Sequence, residues 1–266
     1  VHALRSLRET CTYKNLEIIA VLDSETKPSA RNEIMAACGN NFKIVEYDRE
    51  FNFAEKVNLG VVQSDGDYIL LLNDDTEIIS SDTIETLMGL LEDPEVAMAG
   101  PILLYEDGTI QSAGHILNPI PYDLYRHRSP EHVGAQNMLR VQREVSGIIA
   151  ACVLIKRTAF MEVGGLGTLF SSNYNDVDFG LKLRDAGYRI IWTPHARVFH
   201  FESKTRSPKL QPFEVAAIGK RWRDKLDDDP YFNPHLERYK DLWKQNVLGQ
   251  RSLVEALGPT APIASK

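Results

Sequence analysis

Along the first hundred residues, short apolar runs alternate with stretches whose apolar positions recur every three or four residues. LEIIAVL (16–22), FKIVEY (42–47), DYILLL (67–72) and EVAMAG (95–100) predict strands. PSARNEIMAAC (28–38), FNFAEKVNLGVVQ (51–63) and SSDTIETLMGLLED (80–93) predict helices, the last opened by Ser and Asp cap candidates. Such alternation implies an α/β fold, a mostly parallel central sheet with helices on both faces. From residue 101 the pattern loosens: PILLYEDGTI reads as a hairpin about Asp107 and Gly108, and 118–137 has no clear period. Order returns with GIIAACVLIKR as a strand, TAFMEVGG as a short helix and a helix from Asn175 to Ala186 stopped by Gly187. YRIIWTP and ARVFHF predict two further strands, and the tail from 210 is charged and mostly helical.

A chain of 266 residues, 43% of them hydrophobic, can bury a core as one large domain or two closely joined halves. No run approaches the ~20 apolar residues that cross a bilayer, so no transmembrane segment is expected. VHALRSLRET lacks the apolar core of a secretory signal. The net charge of −7 argues against nucleic acid as a partner, because phosphate backbones are met by basic surfaces. Cys11, Cys38 and Cys152 are far apart and show no CxxC spacing, which points to a reducing compartment and to neither a disulfide framework nor a zinc site. A cytoplasmic protein is the expectation. The charged tail reads as a solvated face, with peripheral contact at the inner face of a membrane as the other reading.

The candidate chemistry begins where YILLLNDDTEI turns from a buried strand to an amide and two carboxylates. Ligands of parallel α/β sheets bind beyond the carboxyl ends of strands, where Asn73, Asp74 and Asp75 fall. On an extended backbone Asn73 and Asp75 share a side, and an oxygen-rich pair suits Mg²⁺ or Mn²⁺ holding a diphosphate. The other reading is a polar turn before the next helix. Asp23, ending an earlier strand, is either an acceptor for a base or ribose or a turn former. Asn175, Asp176 and Asp178 open a helix, where dipole and free N–H groups stabilise a carboxylate and keep it ionised to accept a hydroxyl proton. His200, at the end of a strand in RVFHFES, is either a structural histidine or the completion of a metal site. The other histidines, 2, 115, 127, 132, 195 and 235, show no ligand spacing. Tyr122, Tyr125, Arg126, His127 and Arg128 form either a sugar-binding lid or a disordered surface loop.

Taken in order, NLEIIAVLDSET, FNFAEKVNLGVVQSDGDYILLLNDDTEI, GTIQSAGHILN, SGIIAACVLIKRTAFMEVGGL, YNDVDFGLKLRDAGYRIIWTPHARVFHFES and DPYFNPHL resemble the inverting family 2 glycosyltransferases of bacterial cell-surface polysaccharide synthesis, including rhamnosyltransferase-like members. They span roughly residues 4–236. The resemblance implies a GT-A fold, a Rossmann-like nucleotide-diphospho-sugar transferase. Residues 1–100 would be the nucleotide-sugar half, 101–206 the acceptor and catalytic half, and 207–266 a helical tail. It makes NDD the DXD-like element, with Asp75 on Mg²⁺ or Mn²⁺ and Asn73 near the ribose or diphosphate. Asp23 becomes the base- or ribose-contacting residue, Asp176 the general base and His200 a metal ligand. The implied donor is a nucleoside diphosphate sugar, UDP or dTDP foremost, and the acceptor a glycan or lipid-linked glycan. Two departures stand out. Asn175 replaces the usual Glu, and the chain opens at the family's first helix, so the first strand is expected to be missing and the sheet to carry an open slot. A non-catalytic nucleotide-sugar or glycan-binding module, or an inactive fragment, is the alternative. A nucleotidyltransferase would need a basic Gly-rich loop near the first strand, and none occurs in these residues.

Overall fold

A computed structural model of the chain describes residues 1–117, 121–202 and 210–233; the tail from 234, with the end of DPYFNPHL, lies outside them. After α1 (His2–Thr10), β1 (Ile18–Asp23) and β2 (Phe42–Tyr47) pair in parallel as a two-stranded sheet. Between them α2 (Pro28–Cys38) starts on a proline, whose missing N–H costs nothing in a first turn. The following α3 (Phe53–Val62) is capped by Asn52, whose side chain accepts from the Glu55 amide at 3.1 Å.

The main sheet has seven strands: β3 (Tyr68–Leu72), β4 (Thr76–Ile78), β5 (Val96–Leu104), β6 (Ile110–Ser112), β9 (Arg143–Glu144), β10 (Cys152–Lys156) and β11 (Arg189–His200). Its order is β3-β10-β5-β11-β4, with β6 beside β5 and β9 beside β11, while β7 (His115–Leu117) and β8 (Pro121–Asp123) form a separate hairpin. The sheet is mixed rather than mostly parallel: only β5–β11 pairs in parallel, and β10 inserts antiparallel between β3 and β5. A strand reached through a long irregular segment has no crossover helix to hold it parallel.

Helices do cover both faces. Along β10, Val153 and Ile155 join Phe160, Phe179 and Leu183 of α5 (Arg157–Glu162) and α6 (Asn175–Asp185). Leu154 instead meets Leu87 and Leu91 of the α4 region (Thr83–Leu90), and Cys152 meets Leu7 of α1. This period of two, with both sides apolar, is what a doubly covered strand requires.

EVAMAG and PILL form one strand through Pro101, and YRIIWTP and ARVFHF form one strand through Pro194. Pro101 lacks an N–H for the ladder, and it falls where the β5–β11 register is interrupted between Trp192 and Arg197. Only Asn73, Asp74 and Asp75 separate β3 from β4, the two ends of the strand order. Four residue steps span at most ~14 Å, less than the ~19 Å across four flat strand spacings. The sheet therefore curls, and the NDD turn bridges its ends.

The segment that carries Tyr122, Tyr125, Arg126, His127 and Arg128 corrects the disordered-loop reading. Residues 118–120 are outside the described set, but Leu124 and Tyr125 are buried in the main core, and His127 stacks on Tyr105 with centroids 4.7 Å apart. Residues 121–127 are thus packed onto the core through Leu124, Tyr125 and the His127–Tyr105 stack.

Candidate active site

Asn73 and Asp75 are half-buried and Asp74 is exposed, as their alternation predicts. The Asn73 amide donates to the Ala151 carbonyl at 2.8 Å, and the Thr76 hydroxyl closes the turn onto the Asn73 carbonyl at 2.7 Å. His200 pairs with Thr76 in the β11–β4 ladder, and the Phe201 amide donates to the Asp75 carbonyl at 2.9 Å. These bonds bring the His200 imidazole to the NDD turn, with Nε2 3.3 Å from Asp75 Oδ1. Among the described residues no group of three or more His, Cys, Asp or Glu side chains gathers as a metal cage; the two that meet at this turn are Asp75 and His200.

Asp176 stands half-buried in the first turn of α6, its Oδ1 accepting from the Val177 amide at 2.8 Å. The entry to the helix is Tyr174 at φ 61°, left-handed backbone that a non-glycine residue holds only where its surroundings impose it. The two residues before it are held by Glu214 on α7 (Pro212–Asp227), fully buried, which accepts from the backbone amides of Ser172 and Asn173 and from the Asn173 side chain. Burial pushes this carboxyl's pKa up, and the Asn173, Gln211 and Ser172 donors outweigh it, leaving the group below the usual range. Asp178, one turn into α6, is also fully buried and receives the Trp222 indole N–H at 2.7 Å and Arg221 at 3.2 Å, so it ties α6 to α7. Of the acidic residues that open α6, Asp178 is thus a strut and Asp176 is the one that stays more open to solvent.

Beneath α6 lies a pair the histidine count passed over. A Cβ on Gly180 would sit 2.9 Å from the Ser146 carbonyl, so helix and Ser146–Gly147 backbone are in close approach, and His115 donates its amide to the Gly147 carbonyl on the other side. The His115 ring is buried with Nε2 3.3 Å from Asp123 Oδ1. Burial favours the neutral ring, but the Asp123 charge and hydrogen bond win, and with a further push from Asp176 the pKa rises to about 9. Asp229, from the DPYFNPHL stretch, has a fully buried side chain and gathers the Leu117 amide and the Ser146 hydroxyl, each at 2.6 Å, and Arg184 at 3.8 Å. Its only sequence signal was membership in a matching stretch.

Asp23 is at the end of β1, more than half exposed, with Lys56 Nζ 2.8 Å from Oδ1. Lys56 lies on α3, which also grips the loop leading to α6. Asn52 donates to the Thr168 carbonyl, Asn58 makes paired bonds with the Leu166 backbone, and the Phe53 amide donates to the Ser171 carbonyl, all at 2.8–2.9 Å. The FNFAEKVNLG stretch therefore links the Asp23 side to the Asp176 side. A hollow of about 320 Å³ lined by Arg5, Arg8, Glu9, Ala36 and Ala37 involves none of these residues.

A curled mixed sheet with helices on both faces and an acidic turn at the carboxyl end of β3 is the architecture of GT-A glycosyltransferases, and solved structures match it. GalNAc-T7 with UDP, GalNAc and Mn²⁺ superposes with a TM-score of 0.60 at 14% identity, covering 80% of this chain and 44% of that one. The mannosyltransferase PcManGT from Pyrobaculum calidifontis, in complex with GDP-Man and Mn²⁺, gives 0.53 at 15% identity, covering 85% and 59%. The chain belongs to glycosyl transferase family 2, whose sequence pattern matches residues 1–164. It is 32% identical over 236 residues to the uncharacterized protein y4gI of Sinorhizobium fredii (strain NBRC 101917 / NGR234), covering 84% of this chain and 26% of that protein. It is 27% identical over 269 residues to the O-antigen biosynthesis protein RfbC of Myxococcus xanthus, covering 97% and 21%. The chain thus spans about a quarter or less of the length of these relatives. A stretch of 62 residues, 23% of the chain and 20% of the relative, is 34% identical to the N-acetylglucosaminyl-diphospho-decaprenol L-rhamnosyltransferase of Mycobacterium tuberculosis (strain CDC 1551 / Oshkosh). No helix among the described residues is long and apolar enough to cross a membrane.

Proposed function

We propose that this chain transfers a sugar from a nucleoside diphosphate donor to a hydroxyl of a glycan acceptor, with inversion, in the synthesis of a bacterial surface polysaccharide. The observation that carries this reading is the convergence of Asp75 and His200, distant in sequence, to 3.3 Å at the carboxyl end of β3. Two ligands at right angles on an ion with bonds of about 2.1 Å lie about 3 Å apart, so the pair fits adjacent positions on Mg²⁺ or Mn²⁺. Asp75 and His200 would hold the ion and leave it free to engage the donor's diphosphate. The bound ion would neutralise charge on the departing diphosphate.

The chain's own residues supply the rest. Asp23 accepts hydrogen bonds from the base or ribose, Asn73 bonds the ribose or donates its side-chain amide to the diphosphate, and α3 holds both ends of the cleft in register. Asp176 takes the acceptor hydroxyl proton as that oxygen attacks the anomeric carbon from the face opposite the diphosphate. Its Oδ1 is held at the α6 N-terminus by the Val177 amide. Asn175 beside it is buried and uncharged, so the base has no second carboxylate at its shoulder. Two solved relatives in fold that hold Mn²⁺ with a nucleotide or nucleotide sugar support the metal and the donor class, and the RfbC and rhamnosyltransferase relatives support the pathway.

The test is a panel of UDP-, dTDP- and GDP-sugars offered with lipid-linked glycan acceptors to the wild-type chain and to Asp176→Asn. Transfer by the wild type, lost in the variant while donor binding persists, is the expected result. Donor binding lost together with turnover would remove Asp176 from the base role, and binding without any transfer across the panel would favour a non-catalytic binding module.

A further inference from the structure

Gln111 takes no part in the transfer chemistry outlined above, yet it is 1% exposed and lies on the strand next to β5, across which it meets β11. Leu103 pairs with Ser112 and Leu104 with Ile110, so Gln111 is the extra residue of a β-bulge, a device that re-aims one side chain out of the regular ladder. A buried amide is tolerated when its polar ends are paired. Both ends of Gln111 meet one residue: Oε1 lies 2.7 Å from His200 Nδ1, and Nε2 donates to the His200 backbone carbonyl at 3.3 Å.

That double contact determines where the ring hydrogen sits. A backbone carbonyl only accepts, so the amide must turn its NH₂ toward it. Its oxygen then faces the ring, and an oxygen facing Nδ1 requires Nδ1 to carry the hydrogen. In the neutral ring this leaves the lone pair on Nε2, the nitrogen that lies 3.3 Å from Asp75 Oδ1. A divalent cation suits two electron-pair donors at that separation, whereas a protonated ring would donate Nε2–H to Asp75 instead. Without the Gln111 oxygen, either tautomer is open to the ring, since the partner of one nitrogen sets the state of the other.

We propose that Gln111 is a positioning residue that holds His200 in the Nδ1–H tautomer, so that Nε2 offers its lone pair to a divalent cation shared with Asp75. The inference rests on the metal reading given under Proposed function, but its spectroscopic half stands apart from it. The same residue also fixes the ring's rotation, because the amide grips the His200 main chain as well as its side chain. Partners of this kind behind a ligating histidine typically change metal affinity by 10–100-fold when removed.

The experiment uses the ¹⁵N-labelled chain without metal. Long-range ¹H–¹⁵N correlations report which imidazole nitrogen carries the hydrogen, with His200 assigned by the loss of its signals in His200→Gln. The wild type is expected to show the Nδ1–H tautomer. Gln111→Met, of similar length but without an amide, is expected to show a mixture or the opposite tautomer and to bind Mn²⁺ alone about 10–100-fold more weakly by titration. An Nε2–H ring in the folded wild type overturns the proposal, and that reading needs no variant to fold. Gln111→Met with wild-type tautomer and wild-type Mn²⁺ affinity overturns it equally. A wild type with the Nδ1–H ring, lost in Gln111→Met, but with no Mn²⁺ binding would support the positioning of the ring while overturning the metal reading.

Discussion

Asp23 stands on a two-stranded sheet whose β1 positions are half-buried at best, its carboxylate 55% exposed and held by one lysine. Asp75, His200 and Asp176 are instead anchored to the curled seven-stranded sheet, where β5 is buried at all nine of its positions, and to helices tied down by buried carboxylates. The contrast separates two physical demands. Groups that touch a reacting centre must be held to fractions of an ångström before substrate arrives, which takes buried, fully bonded supports. In the proposed reading Asp23 recognises a nucleoside from the edge of an open sheet, where solvent-exposed contacts are adaptable in exchange for precision. α3 joins the two, with Lys56 on Asp23 and Asn52 and Asn58 on the loop before α6.

The largest effect expected on the buried side is catalytic. Replacing Asp176 by Asn should lower turnover by about 10²–10⁴-fold, the usual worth of a positioned general base, and leave donor affinity within about twofold by calorimetry. Next comes Asp229→Ala, which strands the Leu117 amide, the Ser146 hydroxyl and Arg184 in the interior. Removing one partner from such a buried ionic cluster costs about 3–5 kcal/mol, visible as a lowered urea midpoint. If Asp229→Ala unfolded at the wild-type midpoint, the buried side would not owe its rigidity to this carboxylate.

A pH dependence should follow from the His115–Asp123 pair. His115 has its pKa raised from 6.5 to about 9, so its stabilising contribution is complete below 6.5 and is lost as pH rises through 9. Asp123 is held below its ordinary 3.8, burial opposing and His115 prevailing, so its contribution is present above 3.8 and is lost as pH falls further. Thermal unfolding should therefore show a plateau between these limits and a decline toward pH 9, on the order of 1–3 kcal/mol. His115→Gln should abolish that decline, and an unchanged alkaline decline in the variant would refute its assignment to the pair. The smallest effect belongs to the exposed side: Asp23→Ala should cost under ~1 kcal/mol of stability, as exposed ion pairs do, while weakening donor binding by about tenfold, the worth of one hydrogen bond.

Much of the scaffold could be read from periodicity, because helices and doubly covered strands write their burial into apolar spacing. DYILLL ended where the turn began, and Asp176 opened its helix as its dipole-compatible position predicts. Sheet direction could not be read: β10 enters antiparallel through an irregular segment, and apolar runs carry no sign of orientation. Pro101 and Pro194 looked like strand ends because a proline normally stops a ladder, but here β5 and β11 are paired with a local interruption of register between Trp192 and Arg197. The supports of the site, Gln111, Glu214, Asp229 and His115, stayed silent because each acts through a partner distant in sequence, and isolated polar residues have no period. The segments of Gln111, His115 and Asp229 could be matched as stretches without revealing what they hold, and that of Glu214 belonged to no matched stretch.

The central claim is that Asp75 and His200 form a cation site that engages a nucleoside diphosphate, and calorimetric titration of the chain with UDP, dTDP and GDP, each with and without Mn²⁺, tests it most directly. One nucleotide should bind only when Mn²⁺ is present, and Asp75→Ala should erase that dependence. Nucleotide binding of equal strength with and without the ion, or Mn²⁺-dependent binding that survives Asp75→Ala, would contradict it.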